Sequence, residues 1–135
     1  MACYNTRDNE FLLVCRKTNP GRGKFAFPGG FIIIDKEDLY QTAVRELEEE
    51  TGIKVSPQKL HLIDVRSHPK RDPRLHVIDV GFLYLLSRKG KVLVETKEGS
   101  PQWLAWKKVD KLDFAFDHRL YWQHIKNYLR GTSSR

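Results

Sequence analysis

The sequence predicts an α+β fold of short strands and two helices. Three observations carry this prediction. Short apolar runs bounded by turn residues recur along the chain, among them FLLVC at residues 11–15 and HVIDVGFLYLL at 76–86. Two other segments, 35–50 and 117 onward, repeat their apolar residues at helical spacing. A length of 135 residues suits one compact domain with one core, so residues 1–135 are expected to form a single domain.

Composition narrows the functional classes. An apolar fraction of 40% and a charged fraction of 30% fit a globular protein, and no apolar run approaches the roughly 20 residues of a membrane span. The start, Met1-Ala-Cys-Tyr4, lacks the features of a secretory signal, so a cytoplasmic location is expected. Cys3 and Cys15 fit no metal or redox spacing and read as free thiols. The net charge of +7 allows nucleic acid, an anionic surface or a phosphate-bearing substrate as partner.

In chain order, Met1–Tyr4 and Phe11–Cys15 are strands around a polar turn, and Lys24–Phe27 is extended and leads into Pro28-Gly29-Gly30. Phe31–Ile34, apolar and β-branched, reads as another strand. Asp35 is the expected N-cap of a helix running to about Glu50, with Tyr40, Ala43, Val44 and Leu47 as its buried stripe and Gly52 as its stop. Leu60–Val65, His76–Leu86, Val92–Val94 and Gln102–Trp106 are further strands, with the apolar 76–86 run expected inside the sheet and Trp103 and Trp106 as packing anchors. A last helix begins near Asp117 and turns Trp122, Ile125 and Leu129 toward the sheet, while residues 131–135 are expected to be disordered.

The chemistry concentrates on the first helix. At about 100° per residue Glu46, Glu49 and Glu50 share a face and Glu48 points elsewhere. Like charges at this spacing repel by roughly 0.2–0.5 kcal/mol per pair, which a cation would offset. Clustered carboxylates suit hard, oxygen-seeking cations such as Mg²⁺ or Mn²⁺, and magnesium commonly completes its shell with phosphate oxygens and water. A plain solvated acidic face has the same composition.

The pattern is more specific than that. Glu37, seven residues, then Arg45-Glu46-Leu47-Glu48-Glu49-Glu50-Thr51-Gly52-Ile53 resembles the Nudix box, G-x5-E-x7-R-E-U-x-E-E-x-G-U, where U is aliphatic. All positions from Glu37 onward match, but six residues instead of five separate Gly30 from Glu37, so strict spacing would put Lys36 in the place of the first glutamate. The resemblance implies a Nudix fold, a mixed β-sheet sandwiched between α-helices, and a Nudix hydrolase acting on a diphosphate linkage with magnesium as cofactor, manganese substituting. It implies Glu46, Glu49 and Glu50 as metal ligands, Arg45 paired with Glu37 to orient them, and Gly29 and Gly30 as a tight turn beside metal and phosphates.

Outside the box, Phe25–Phe31, Asp72-Pro73-Arg74 with the strand that follows, and Phe114-Ala-Phe-Asp-His118 resemble the ADP-ribose pyrophosphatase-like members. This implies a nucleotide-type small-molecule substrate, ADP-ribose or a nucleotide sugar. The alternatives are a nucleoside triphosphate, including an oxidised one, or a ligand-sensing or nucleic-acid-binding module without catalysis. No helix-turn-helix pattern supports nucleic acid, and related enzymes include homodimers. A further acidic residue from a distant loop, as ligand or base, points to Glu98 first and Glu95 second. Arg16, Arg22, Lys24, Arg71 and Arg74 are candidate phosphate contacts, and Phe27 and Phe31 candidate stacking partners for a base.

Overall fold

The computed structural model describes residues 1–133. Strands β1 (Ala2–Asn5), β2 (Glu10–Arg16) and β3 (Phe25–Ala26) precede helix α1 (Leu39–Thr51); β4 (His61–Arg66), β5 (Asp79–Leu86) and β6 (Gly99–Ala105) follow, then a one-turn helix α2 (Trp106–Val109) and the long α3 (His118–Ser133). The sheet is mixed, ordered β3-β2-β1-β5-β4, with β6 along the other edge of β2. β1 and β5 run parallel and the remaining pairs are antiparallel.

Alternation along the strands makes two cores. Ala2, Phe11, Leu13 and Leu83 face α3 through Tyr121, Trp122 and Ile125, while Cys3, Leu12 and Phe82 face α1 through Leu47. Both faces of FLLVC are therefore buried, which is why it reads as a continuous apolar run. The sheet is thus sandwiched between helices, and β5 lies between β1 and β4. Trp103 and Trp106 pack against opposite cores, and both cysteines are free thiols. None of the described helices is long and apolar enough to cross a membrane.

Several expected elements differ. Residues 31–34 are a loop ending in a turn, with Phe31 through Ile34 exposed. No strand lies beside them; the Phe31 carbonyl accepts from Arg45 and the Ile33 N–H donates to Glu37. Helix α1 is capped by Asp38 instead of Asp35: the Asp38 carboxylate accepts from the Gln41 N–H and the Gln41 side chain accepts from the Asp38 N–H, a reciprocal box. Along its expected stripe Leu47 is fully buried, Ala43 and Val44 are half-buried, and Tyr40 is exposed against the Phe82 ring. Residues 92–94 also form no strand, because the Leu93 N–H is used by the Thr51 carbonyl at the end of α1. Residues 76–78 precede β5 as loop, and α3 continues to Ser133, past residue 131; residues 134 and 135 lie outside the described part.

Candidate active site

The carboxylates of α1 are organised by one guanidinium. Arg45 donates through Nε and Nη2 to Glu37 at 2.8–3.3 Å, through Nη1 to Glu46 at 2.6 Å and to Glu49 at 3.1 Å, and through Nη2 to the Phe31 carbonyl at 3.0 Å. All of its hydrogen-bonding capacity is used, a task suited to the rigid fork of arginine. The Arg45 hydrogen bonds hold the Glu37 carboxyl down at about 2, helped by the Ile33 N–H and the Thr42 hydroxyl. The extra residue before Glu37 is absorbed in the turn at 34–36, where Asp35 takes a left-handed conformation (φ 66), so Glu37 keeps its partner despite the irregular spacing.

Glu50 is set deeper. Its carboxylate accepts from the Gly29 N–H at 3.1 Å, and burial pushes its pKa up to about 8 against that hydrogen bond. Burial also raises the Glu46 carboxyl, opposed by Arg45 and reinforced by Glu49 and Glu98. Gly30 is required beside it, because a Cβ there would lie 2.2 Å from the Glu46 carboxyl carbon. The two glycines therefore act differently: Gly29 offers a donor, and Gly30 leaves room.

Glu46, Glu50 and Glu98 line one cleft of about 500 Å³ together with Arg16, Phe31 and Arg74. Glu98 is brought there by β6, whose first residue, Gly99, presses so closely on β2 that a Cβ would stand 1.9 Å from the Cys15 carbonyl oxygen. Glu95 lies away from the cleft, exposed and 3.6 Å from Lys17. Glu49 is 58% exposed and joins the group only through Arg45. Glu46, Glu50 and Glu98 thus line the same cleft, with Glu49 on its solvent side.

Two further sequence candidates line the same cleft from deeper positions. Arg71 is 4% exposed and is bonded to Asp117 at 2.8–2.9 Å and Asp79 at 3.3 Å. Phe27 is buried and packs against Phe114, Tyr121 and Trp122. Arg22 and Lys24 are exposed away from the cleft.

Sequence reasoning missed a network that reaches the cleft through Arg71 and Asp79, where Arg66 and Arg71 share Asp79 and Asp117 and Arg66 also holds Asp64. Its bonded partners are up to 51 residues apart, so no local pattern signals it. Asp79, Asp117 and His118 stand close enough to surround a cation. Two buried guanidinium groups already satisfy those aspartates, however, and His118 Nδ1 accepts from the Phe27 N–H at 2.9 Å. Burial lowers the His118 pKa to about 3. The α1 carboxylates offer hard oxygen donors of the kind a divalent cation takes, with Arg45 bonded to Glu46 and Glu49 and the Gly29 N–H bonded to Glu50.

A model of the NUDIX domain matches residues 1–125. The chain is 39% identical over 125 residues to an ADP-ribose pyrophosphatase of Methanocaldococcus jannaschii, covering 92% of this chain and 68% of that protein. It is 33% identical over 111 residues to the ADPR responsive transcriptional repressor NtrR of Acinetobacter baylyi, covering 81% of this chain and 43% of the repressor. Among solved structures, the NUDIX domain of Shewanella oneidensis NrtR complexed with ADP ribose superposes with a TM-score of 0.82 at 25% identity, covering 95% of this chain and 82% of that one. With the box from Glu37 to Ile53 folded around Arg45, the chain belongs to the Nudix family and is a Nudix hydrolase.

Proposed function

We propose that the protein hydrolyses the diphosphate linkage of a nucleoside diphosphate derivative, ADP-ribose first, with Mg²⁺ as cofactor and Mn²⁺ as substitute. The observation that carries this reading is that Glu46, Glu50 and Glu98 line one cleft together with Arg16 and Arg74. The likeness to a relative named ADP-ribose pyrophosphatase supports the substrate.

Glu46, Glu49 and Glu50 would hold the cation. When bound, a divalent cation polarises a phosphate and lowers the pKa of a water. Arg45 keeps Glu46 and Glu49 in register, and the Gly29 N–H fixes the Glu50 carboxylate. Glu98, the acid from a separate loop, is the candidate to accept the proton of the attacking water. Water oxygen adds to phosphorus, the bridging P–O bond breaks, and ADP-ribose yields AMP and ribose 5-phosphate.

The test is a product panel: ADP-ribose, sugar nucleotides, dinucleotides and nucleoside triphosphates, each with Mg²⁺ and with chelator, products resolved by chromatography. AMP and ribose 5-phosphate appearing only with Mg²⁺ is the expected result, pyrophosphate release from triphosphates would favour the other substrate class, and no turnover of any compound would overturn the reading. A second reading, ADP-ribose sensing without turnover, draws on the likeness to the ADPR responsive repressor and to the NUDIX domain solved with ADP ribose. It predicts saturable ADP-ribose binding with no products.

A further inference from the structure

The cleft has a second end built from flat groups. Phe31, on the loop after the glycines, is 56% exposed and buries too little surface to serve the core. Across from it Phe116, between Ala115 and α3, is half-buried and holds a left-handed backbone conformation (φ 54) that bulky side chains rarely adopt. The Arg74 guanidinium carbon stands 5.4 Å from the centre of the Phe31 ring and 5.2 Å from that of Phe116. Asp72 fixes the plane of that guanidinium, taking Nε at 3.0 Å and Nη2 at 2.6 Å and leaving Nη1 without a hydrogen-bond partner among the described residues. Arg16 covers Phe116 at 5.0 Å and is itself tied to the Pro20 carbonyl at 2.8 Å.

Four segments distant in sequence thus deliver two aromatic rings and two tethered guanidinium groups to the wall of the cleft that holds Glu46, Glu50 and Glu98. Flat, cationic and partly exposed, this wall matches the π-face and ring acceptors of a nucleobase, not a phosphate or a sugar alone. We propose that Phe31, Arg74 and Phe116 form the nucleobase subsite. The base stacks against Phe116 and Phe31, Arg74 Nη1 donates to a ring acceptor, and the diphosphate spans from there to the α1 carboxylates. The inference rests on the diphosphate-hydrolase reading for its substrate and extends it to the groups that choose the base.

The test uses the full chain and two probes, AMP and ribose 5-phosphate, titrated calorimetrically, beside steady-state kinetics with ADP-ribose. Phe116→Asn removes the ring but suits a left-handed backbone, so the loop keeps its conformation; Phe116→Tyr retains the ring. Phe116→Asn should weaken AMP binding at least about tenfold, the order of a lost stacking contact. It should raise KM for ADP-ribose similarly, leave ribose 5-phosphate binding within about twofold, and be rescued by Phe116→Tyr. Unchanged AMP affinity, equal weakening of both probes, or no AMP binding by the wild-type protein would overturn the proposal. If AMP binding responds as expected and no substrate is turned over, the subsite stands and the hydrolase reading falls. If ADP-ribose is turned over and AMP binding does not respond, the hydrolase reading stands and the subsite falls.

Discussion

Replacing Glu50 by glutamine isolates the charge of the deepest carboxylate while keeping an oxygen to accept from Gly29. In the folded, metal-free protein Glu50 holds its proton up to about pH 8 because it is buried; in the unfolded chain it releases it near the ordinary glutamate value. Between those limits the native state binds more protons than the unfolded state. Stability from this group is therefore full at low pH and is lost as pH rises through the folded pKa. At 1.36 kcal/mol per unit, the loss between pH 5.5 and 7.5 is about 2–3 kcal/mol.

Glu50→Gln cannot titrate, so it should lack that loss. In chelator, urea unfolding should show the variant gaining on the wild type by about 2–3 kcal/mol between pH 5.5 and 7.5. Added Mg²⁺ should reverse the order at pH 7.5, because cation binding displaces the proton from Glu50 but has no such ligand in the variant. Comparing the two proteins cancels the other titrating groups, including His118, whose lowered pKa acts with the opposite sign. Parallel pH profiles for the two proteins, with equal response to Mg²⁺, would refute both the burial argument and the role of Glu50.

Three further perturbations probe the frame around this carboxylate. Gly30→Ala should leave thermal stability nearly unchanged, because Glu46 can swing its carboxyl away, while cutting kcat about a hundredfold by displacing a reacting group. Arg45→Lys loses the fork that joins Glu37, Glu46 and Glu49; Mg²⁺ affinity measured by titration should fall by about 10–100-fold. Gly99→Ala meets the Cys15 carbonyl and a positive φ together, so chemical denaturation should show a loss of about 2–4 kcal/mol.

What the sequence revealed was mostly local. Gly52 as helix stop (φ 84) and the strand at Phe11–Cys15 depend on neighbours within a few residues, and each is found as expected. The true helix start was also legible, since Asp38-x-x-Gln41 spells a capping box while Asp35 offers no such partner. Phe31–Ile34 and Val92–Val94 misled because apolar, β-branched composition does not distinguish a strand from a cleft-side or surface loop; Val94 is 92% exposed. Tertiary pairings were out of reach. Nothing near Arg71 in sequence announces that Asp117 will take its charge, and nothing near Phe116 announces Arg16 and Arg74 on its ring. The loop of 96–101 points to Glu98 ahead of Glu95, and the structure sets Glu98 on the cleft and Glu95 beside Lys17.

That last pair supplies the most direct test of the claim that Glu98 joins the α1 carboxylates in Mg²⁺-dependent diphosphate hydrolysis. ADP-ribose turnover should be followed by phosphorus NMR in Mg²⁺ for wild type, Glu98→Gln and Glu95→Gln, with circular dichroism confirming that each is folded. The account predicts AMP and ribose 5-phosphate at comparable rates from wild type and Glu95→Gln, and a rate lower by orders of magnitude from folded Glu98→Gln. Wild-type turnover by Glu98→Gln, or equal losses in both variants, would contradict it.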